Sequence, residues 1–193
     1  SEITKRSLGH SGLDVSILGY GSWPIGGNSY DKTDDAEAMA CVKAYLDAGG
    51  NFIDSAIGYG RAEEILGKAL KHNGRRNEVI LASKTFKSQG LDTIPQIHKD
   101  LEQTLRALQT DYLDIYYMHA PPDEPEVMEA ALHEYERLKQ KGMIRLIGAS
   151  IKGPSVTGAT PALARQYIDS GRVDVLQMVY SIFRQMNREV FGY

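Results

Sequence analysis

Four residues able to carry or steady a proton stand at regular places in the chain. Asp54 ends the apolar run Asn51-Phe52-Ile53, Lys84 ends Ile80-Leu81-Ala82-Ser83, and His119 ends Ile115-Tyr116-Tyr117-Met118. Tyr59 follows the acid in the loop Ser55-Ala56-Ile57-Gly58-Tyr59-Gly60. Singly, each has an ordinary explanation: a strand-end Asp enters a turn, a Lys is solvated, and a His beside Pro121-Pro122 makes a local hydrogen bond. An acid, a cation and an imidazole closing three successive apolar runs form a stronger signal together. A phenol, with a pKa of about 10, is too weak an acid to protonate an alkoxide readily at neutral pH. A neighbouring ammonium favours phenolate and lowers that value, each unit being worth about 1.4 kcal/mol. Lys84 is the cation for this task, Asp54 the group that keeps Lys84 charged and fixed, and His119 a donor that orients a substrate oxygen. The set holds no strong nucleophile and no metal cage. It suits a carbonyl that takes a hydride from elsewhere and a proton from Tyr59.

The elements that must position these residues alternate along the chain. Short apolar runs at Val15–Leu18, Asn51–Ile53, Val79–Ala82, Tyr112–Met118, Ile144–Ile147 and Val173–Tyr180 read as strands. Between them Asp34–Ala48, Ala62–Lys71, Ile94–Leu108, Glu126–Lys141 and Pro161–Ser170 read as helices. In the third helix Ile94, Ile97, Leu101, Leu105 and Leu108 recur at helical spacing and mark one apolar face. Asp34 and Gly49 suit the start and stop of the first helix, and Pro161 suits a first helical turn. Strands alternating with helices imply a parallel sheet with right-handed crossovers. An open dinucleotide-binding sheet would need Gly-x-Gly-x-x-Gly, and Gly19 and Gly21 are followed by Pro24 where the third glycine belongs. The segment Lys5–Leu8, Gly9-His10-Ser11-Gly12, Leu13–Val15 reads as a β-hairpin that can plug a barrel. The fold class is therefore α/β, a (β/α)8 TIM barrel with an N-terminal hairpin, residues 1–193 forming a single domain. Strand centres fall about 32 residues apart, so eight units need roughly 250 residues. The chain is expected to lack its last two or so βα units, its C-terminal quarter.

Composition narrows the classes. The 193 residues carry 22 Lys+Arg against 25 Asp+Glu, a net charge of −3, which argues against a nucleic-acid partner. No apolar run approaches the length of a membrane span and no secretory leader is legible, so the chain reads as cytoplasmic. One cysteine, Cys41, excludes an internal disulfide and a Cys-based zinc cluster; beside Met39 and Val42 it is expected to be buried.

With these residues in place, the chain resembles the aldo-keto reductase family. The likeness runs through Leu18-Gly19-Tyr20-Gly21-Ser22-Trp23, Asp54-Ser55-Ala56-Ile57-Gly58-Tyr59-Gly60, Lys84, His119, Ile147-Gly148-Ala149-Ser150 and Val175-Leu176-Gln177-Met178-Val179-Tyr180. It implies a barrel that binds NADPH across its mouth and reduces an aldehyde or ketone, with Tyr59 as general acid. By the same resemblance Lys84 tunes Tyr59, Asp54 pairs with Lys84, and His119 orients the carbonyl. Gly21, Ser22 and Trp23 would line the nicotinamide with Asp54 nearby, and Ser150 and Gln177 would hold its carboxamide. Tyr180 matches a frequent tyrosine and reads as packing. Ile151 stands where many members have Asn, which removes one carboxamide contact or leaves it to the backbone. The family's phosphate contacts come mainly from the last two strands, so the chain alone is expected to bind the cofactor weakly or not at all. NADPH over NADH is then a family expectation.

Two other classes compete. The potassium-channel β-subunit branch keeps fold and cofactor while serving a partner, and an intact tetrad favours chemistry over that role. A Schiff-base lyase would use Lys84, but Asp54 and Tyr59 keep the amine charged. Trp23 and Tyr30 offer an aromatic wall that suits many carbonyl compounds; substrate and oligomeric state stay open.

Overall fold

The computed structural model describes residues 2–27, 34–86, 89–151 and 159–193; Tyr30 lies outside them. The chain opens with an antiparallel hairpin, β1 (Lys5–Ser7) and β2 (Asp14–Ser16), in which Arg6 faces Val15. Six parallel strands follow in sequence order: β3 (Tyr20–Gly21), β4 (Phe52–Asp54), β5 (Ile80–Lys84), β6 (Leu113–His119), β7 (Ile144–Ile151) and β8 (Val175–Met178). Helices α1 (Asp35–Asp47), α2 (Ala62–Asn73), α3 (Ile94–Leu108), α4 (Pro125–Gln140) and α5 (Ala159–Asp169) connect them. The sheet curls, as part of a barrel wall does.

Residues alternate between the two faces of each strand. Ile53, Leu81, Tyr116, Ile147 and Ala149 join the core shared with the helices, whereas Ile80, Ala82, Ile115, Tyr117, Leu146 and Val175 form a second cluster on the opposite, inner face. Leu8, Leu13, Val15 and Phe52 pack against that inner cluster, so the hairpin covers it at the end where the strands begin. The amide of Ser16 donating to Asn51 Oδ1 (2.8 Å), just before β4, ties the hairpin there. On the outer face α3 buries Ile97, Leu101, Leu105 and Leu108, side chains worth about 1.5–3 kcal/mol each when fully removed from water.

Two expectations need correction. Val15–Leu18 is not the first strand of the parallel sheet: its beginning belongs to the hairpin, Ile17 and Leu18 are exposed, and Tyr20–Gly21 pairs with β4 instead. Cys41 is exposed rather than buried, because the inward face of α1 is set by Ala38, Val42 and Leu46.

Candidate active site

The parity that builds the inner cluster also aims the polar strand ends. Asp54 lies two residues beyond Phe52, Lys84 two beyond Ala82, and His119 two beyond Tyr117; Ser150 and Gln177 continue the inner rows of β7 and β8. Register sets them side by side: Gly21 faces Asp54, His119 faces Ser150, and Ser150 faces Gln177. All of these positions fall at the C-terminal ends of parallel strands, where this architecture gathers its chemistry.

Tyr59 arrives from the loop after β4, which is fastened at several points. Ser55 N donates to Ala82 O (2.9 Å), Ile57 N to Lys84 O (3.1 Å), and Tyr59 N to Ala56 O (3.0 Å). A second turn clamps it: Ser22 N donates to Asp54 O (3.0 Å), the Ser22 hydroxyl to Ser55 Oγ (2.8 Å), and Arg61 N to Gly26 O (3.0 Å). Gly26 has no room for a side chain, since a Cβ there would lie 1.8 Å from the Tyr59 carbonyl oxygen.

Lys84 is the centre of the group and is 1% exposed. Its Nζ donates to Asp54 Oδ2 (2.6 Å) and Ser55 O (2.8 Å), with the Tyr59 hydroxyl at 3.5 Å. The same nitrogen lies 5.1 Å from the centre of the Tyr59 ring and 5.7 Å from that of Tyr117. Burial pushes the Lys84 ammonium below its ordinary value; the charge and hydrogen bond of Asp54, then the charge of Glu63, oppose that. Tyr59, half-buried, shifts upward, first through burial and then through the negative charge of Asp54. This corrects the expectation of an unusually acidic phenol. Asp54 occupies the ammonium more closely than Tyr59 does, so in the protein alone Tyr59 holds its proton more firmly than free tyrosine.

His119 sets its ring perpendicular to Tyr59, with centroids 6.4 Å apart, and Trp23, half exposed, lies tilted at 6.3 Å on another side. Immediately after His119 the backbone turns sharply, Ala120 adopting a left-handed φ of 56°. The buried Ser150 hydroxyl donates to Gln177 Oε1 (3.2 Å). Asp54 Oδ1 is buried without a hydrogen-bond partner among the described residues, and beside it a Cβ on Gly21 would meet nothing within 4 Å. An unmet acceptor next to open space is the feature a hydroxyl-bearing ligand would satisfy. Tyr180, itself exposed, lies edge-on to Phe191 with ring centres 5.0 Å apart. The structure thus brings Asp54, Tyr59, Lys84 and His119 together and sets Gly21, Ser22, Trp23, Ser150 and Gln177 around them. Sequence reasoning missed the buried acids behind the site, Glu63 and Asp100, which carry no local signal.

The curled parallel sheet thus carries a Lys–Asp–Tyr–His group at its strand ends, and comparison with known proteins gives the family. Residues 17–193 match the Aldo/keto reductase family, to which the chain belongs. Among curated proteins it is 38% identical over 152 residues to aldo-keto reductase YhdN of Bacillus subtilis, covering 75% of this chain and 46% of that protein. It is 41% identical over 133 residues to a probable voltage-gated potassium channel subunit beta of Oryza sativa, covering 64% of this chain and 39% of that one. Among solved structures, the holo form of aldo-keto reductase AKR11C1 from Bacillus halodurans superposes with a TM-score of 0.80 at 32% identity, over 99% of this chain and 62% of that one. An aldo/keto reductase from Klebsiella pneumoniae in complex with NADP and acetate superposes at 0.69 and 28% identity, over 87% and 56% of the two chains. The chain spans about half the length of the curated relatives it matches. Among the described residues no helix is long and apolar enough to cross a membrane.

Proposed function

We propose that the protein reduces an aldehyde or ketone to the alcohol with NADPH, and that Tyr59 delivers the proton. Lys84 at 3.5 Å from the Tyr59 hydroxyl, while held by Asp54 at 2.6 Å, is the observation that carries this reading. When bound, the cofactor supplies the hydride. Tyr59 is protonated throughout the neutral range, which is the state a general acid needs. As its proton leaves, the Lys84 ammonium stabilises the phenolate that forms, an interaction stronger in the transition state than before it. His119, facing the Tyr59 ring, donates to the carbonyl oxygen from a second side and fixes its direction.

The residues present fit the cofactor. Asp54 Oδ1, unpaired among the described residues, would accept from a sugar hydroxyl, Gly21 leaves space beside it, and Ser22 and the exposed Trp23 would line the nicotinamide. Ser150 and Gln177, paired to each other, would hold its carboxamide. The neighbour with NADP bound supports the choice of NADPH. In this reading residues 1–193 form one domain and supply six strands of a (β/α)8 barrel, and the protein works in the cytoplasm.

The likeness to a potassium channel β subunit favours one second reading, a cofactor-binding regulatory subunit with little turnover. The full-length protein, given NADPH and a panel of simple aldehydes and ketones, separates the two. Steady loss of absorbance at 340 nm supports the reductase; NADPH binding without turnover supports the regulatory subunit.

A further inference from the structure

A lysine ammonium has three N–H donors at fixed tetrahedral angles, so two hydrogen bonds decide where the third points. At Lys84 two donors go to Asp54 Oδ2 (2.6 Å) and to the Ser55 carbonyl (2.8 Å), which leaves the third for the Tyr59 hydroxyl at 3.5 Å. Held by Asp54 alone, the nitrogen would be free to turn about that one bond and swing its other protons away from Tyr59. The Ser55 carbonyl removes this freedom. Being uncharged, it contributes direction, whereas Asp54 contributes the opposite charge.

That carbonyl is in turn held by bonds at the same residue. Ser55 N donates to Ala82 O (2.9 Å) of β5, and Ser55 Oγ accepts from the Ser22 hydroxyl (2.8 Å) in the turn after β3. Both serines are fully buried. Two buried hydroxyls bonded to each other add little stability, since an apolar pair of the same shape is close to neutral in such a place. What the pair orients is the better account of it. The Ser22 amide also donates to Asp54 O (3.0 Å), so one turn grips residue 54 by its backbone and residue 55 by its side chain.

We propose that Ser55 is a positioning residue: its hydroxyl, held by Ser22, fixes the carbonyl that aims the third N–H of Lys84 at Tyr59. The path is continuous and short. It runs from the turn that would line the nicotinamide, through one hydroxyl pair and one carbonyl, to the ammonium beside the proposed proton donor. Loss of the Ser22–Ser55 bond therefore loosens Lys84 without touching the charge on Asp54 or the Tyr59 hydroxyl.

The inference rests on the role given to Lys84 under the proposed function, but its main test does not need turnover. In cofactor-free full-length protein labelled with 13Cε-lysine, the Lys84 signal is assigned with Lys84→Arg. Its position and order parameter are then compared in wild type, Ser55→Ala and Ser22→Ala. Both variants are expected to shift the signal and lower its order parameter, and the double variant to shift it no further than Ser55→Ala does. Ser22→Ala leaves the Ser55 side chain in place, so it separates orientation from packing and serves also if Ser55→Ala does not fold. The kcat of Ser55→Ala should fall about fivefold while its NADPH dissociation constant stays within about twofold of wild type. A Lys84 signal unmoved in the folded variants overturns the inference. So does a shift in Ser55→Ala that Ser22→Ala does not share, which would make packing the cause. Either result leaves the assignment of Tyr59 standing, because that is read from turnover of a Tyr59 variant.

Discussion

Replacing Asp54 with Asn keeps the size of the side chain and removes the negative charge in contact with Lys84. The ammonium is then left with Ser55 O at 2.8 Å and the Tyr59 hydroxyl at 3.5 Å, two uncharged partners, at a position that is 1% exposed. Breaking a buried pair by deleting one member costs about 3–5 kcal/mol. The lower end, about 3 kcal/mol, applies because 19% of the Asp54 side chain meets solvent and water can reach the gap. The pH dependence has a definite sign. Lys84 already lies below its ordinary value of 10.5 in the folded protein, and Asp54→Asn lowers it further. Below that folded value the amine is charged in both folded and unfolded chains, so the cost is present in full. Between the variant's folded value and the wild type's higher one, only the variant's amine has given up its proton, and over that window the deficit fades. Urea unfolding of Asp54→Asn against wild type should show a deficit of about 3 kcal/mol near pH 7 and a smaller one near pH 10. A deficit equal at both pH values, or one under about 0.5 kcal/mol near pH 7, refutes the reasoning that Asp54 exists to hold a buried charge.

The upward shift of Tyr59 can be read directly. The phenolate absorbance lost in Tyr59→Phe should develop above pH 10.0 in the wild-type difference titration, and a midpoint below that value contradicts the burial argument. Gly26→Ala should displace the Tyr59 turn, since a Cβ would lie 1.8 Å from the Tyr59 carbonyl oxygen. We expect a loss of about 1–3 kcal/mol with a fall in turnover, and an unaltered variant shows that the two turns are not locked together. Asp114, 2% exposed, accepts from Leu81 N (2.9 Å), Arg76 (3.2 Å) and Arg145 (3.1 Å). Asp114→Ala should cost about 3 kcal/mol in urea unfolding, with a change under about 0.5 kcal/mol refuting its structural role.

How much was legible beforehand follows from which forces act locally. The span of α3, Ile94–Leu108, matches its apolar spacing because that face alone decides which side turns inward. Asp54, Lys84 and His119 were recoverable because a polar residue closing an apolar run is visible without a structure, and parallel strands bring such ends together. The first strand of the sheet was not legible. Its paired part is only Tyr20–Gly21, whereas Val15–Leu18 has the louder apolar composition but leaves Ile17 and Leu18 exposed. Cys41 misled because its apolar neighbours in sequence do not share its face of α1. Glu63, Asp100 and Asp114 were invisible as buried groups, since the donors that make their burial tolerable come from distant segments such as Thr104, Thr85 and Arg76. The direction of the Tyr59 shift depends on burial and on which neighbour Lys84 contacts more closely, and neither is written in residue spacing.

The central claim is that the Tyr59 hydroxyl is the proton donor. Single-turnover oxidation of NADPH by the full-length protein, with a carbonyl substrate that the wild type reduces, tests it in wild type and in Tyr59→Phe. Removal of the hydroxyl should slow the reducing step by about 100-fold or more while quenching of NADPH fluorescence on binding stays nearly intact. An equal rate in the two proteins would contradict the account.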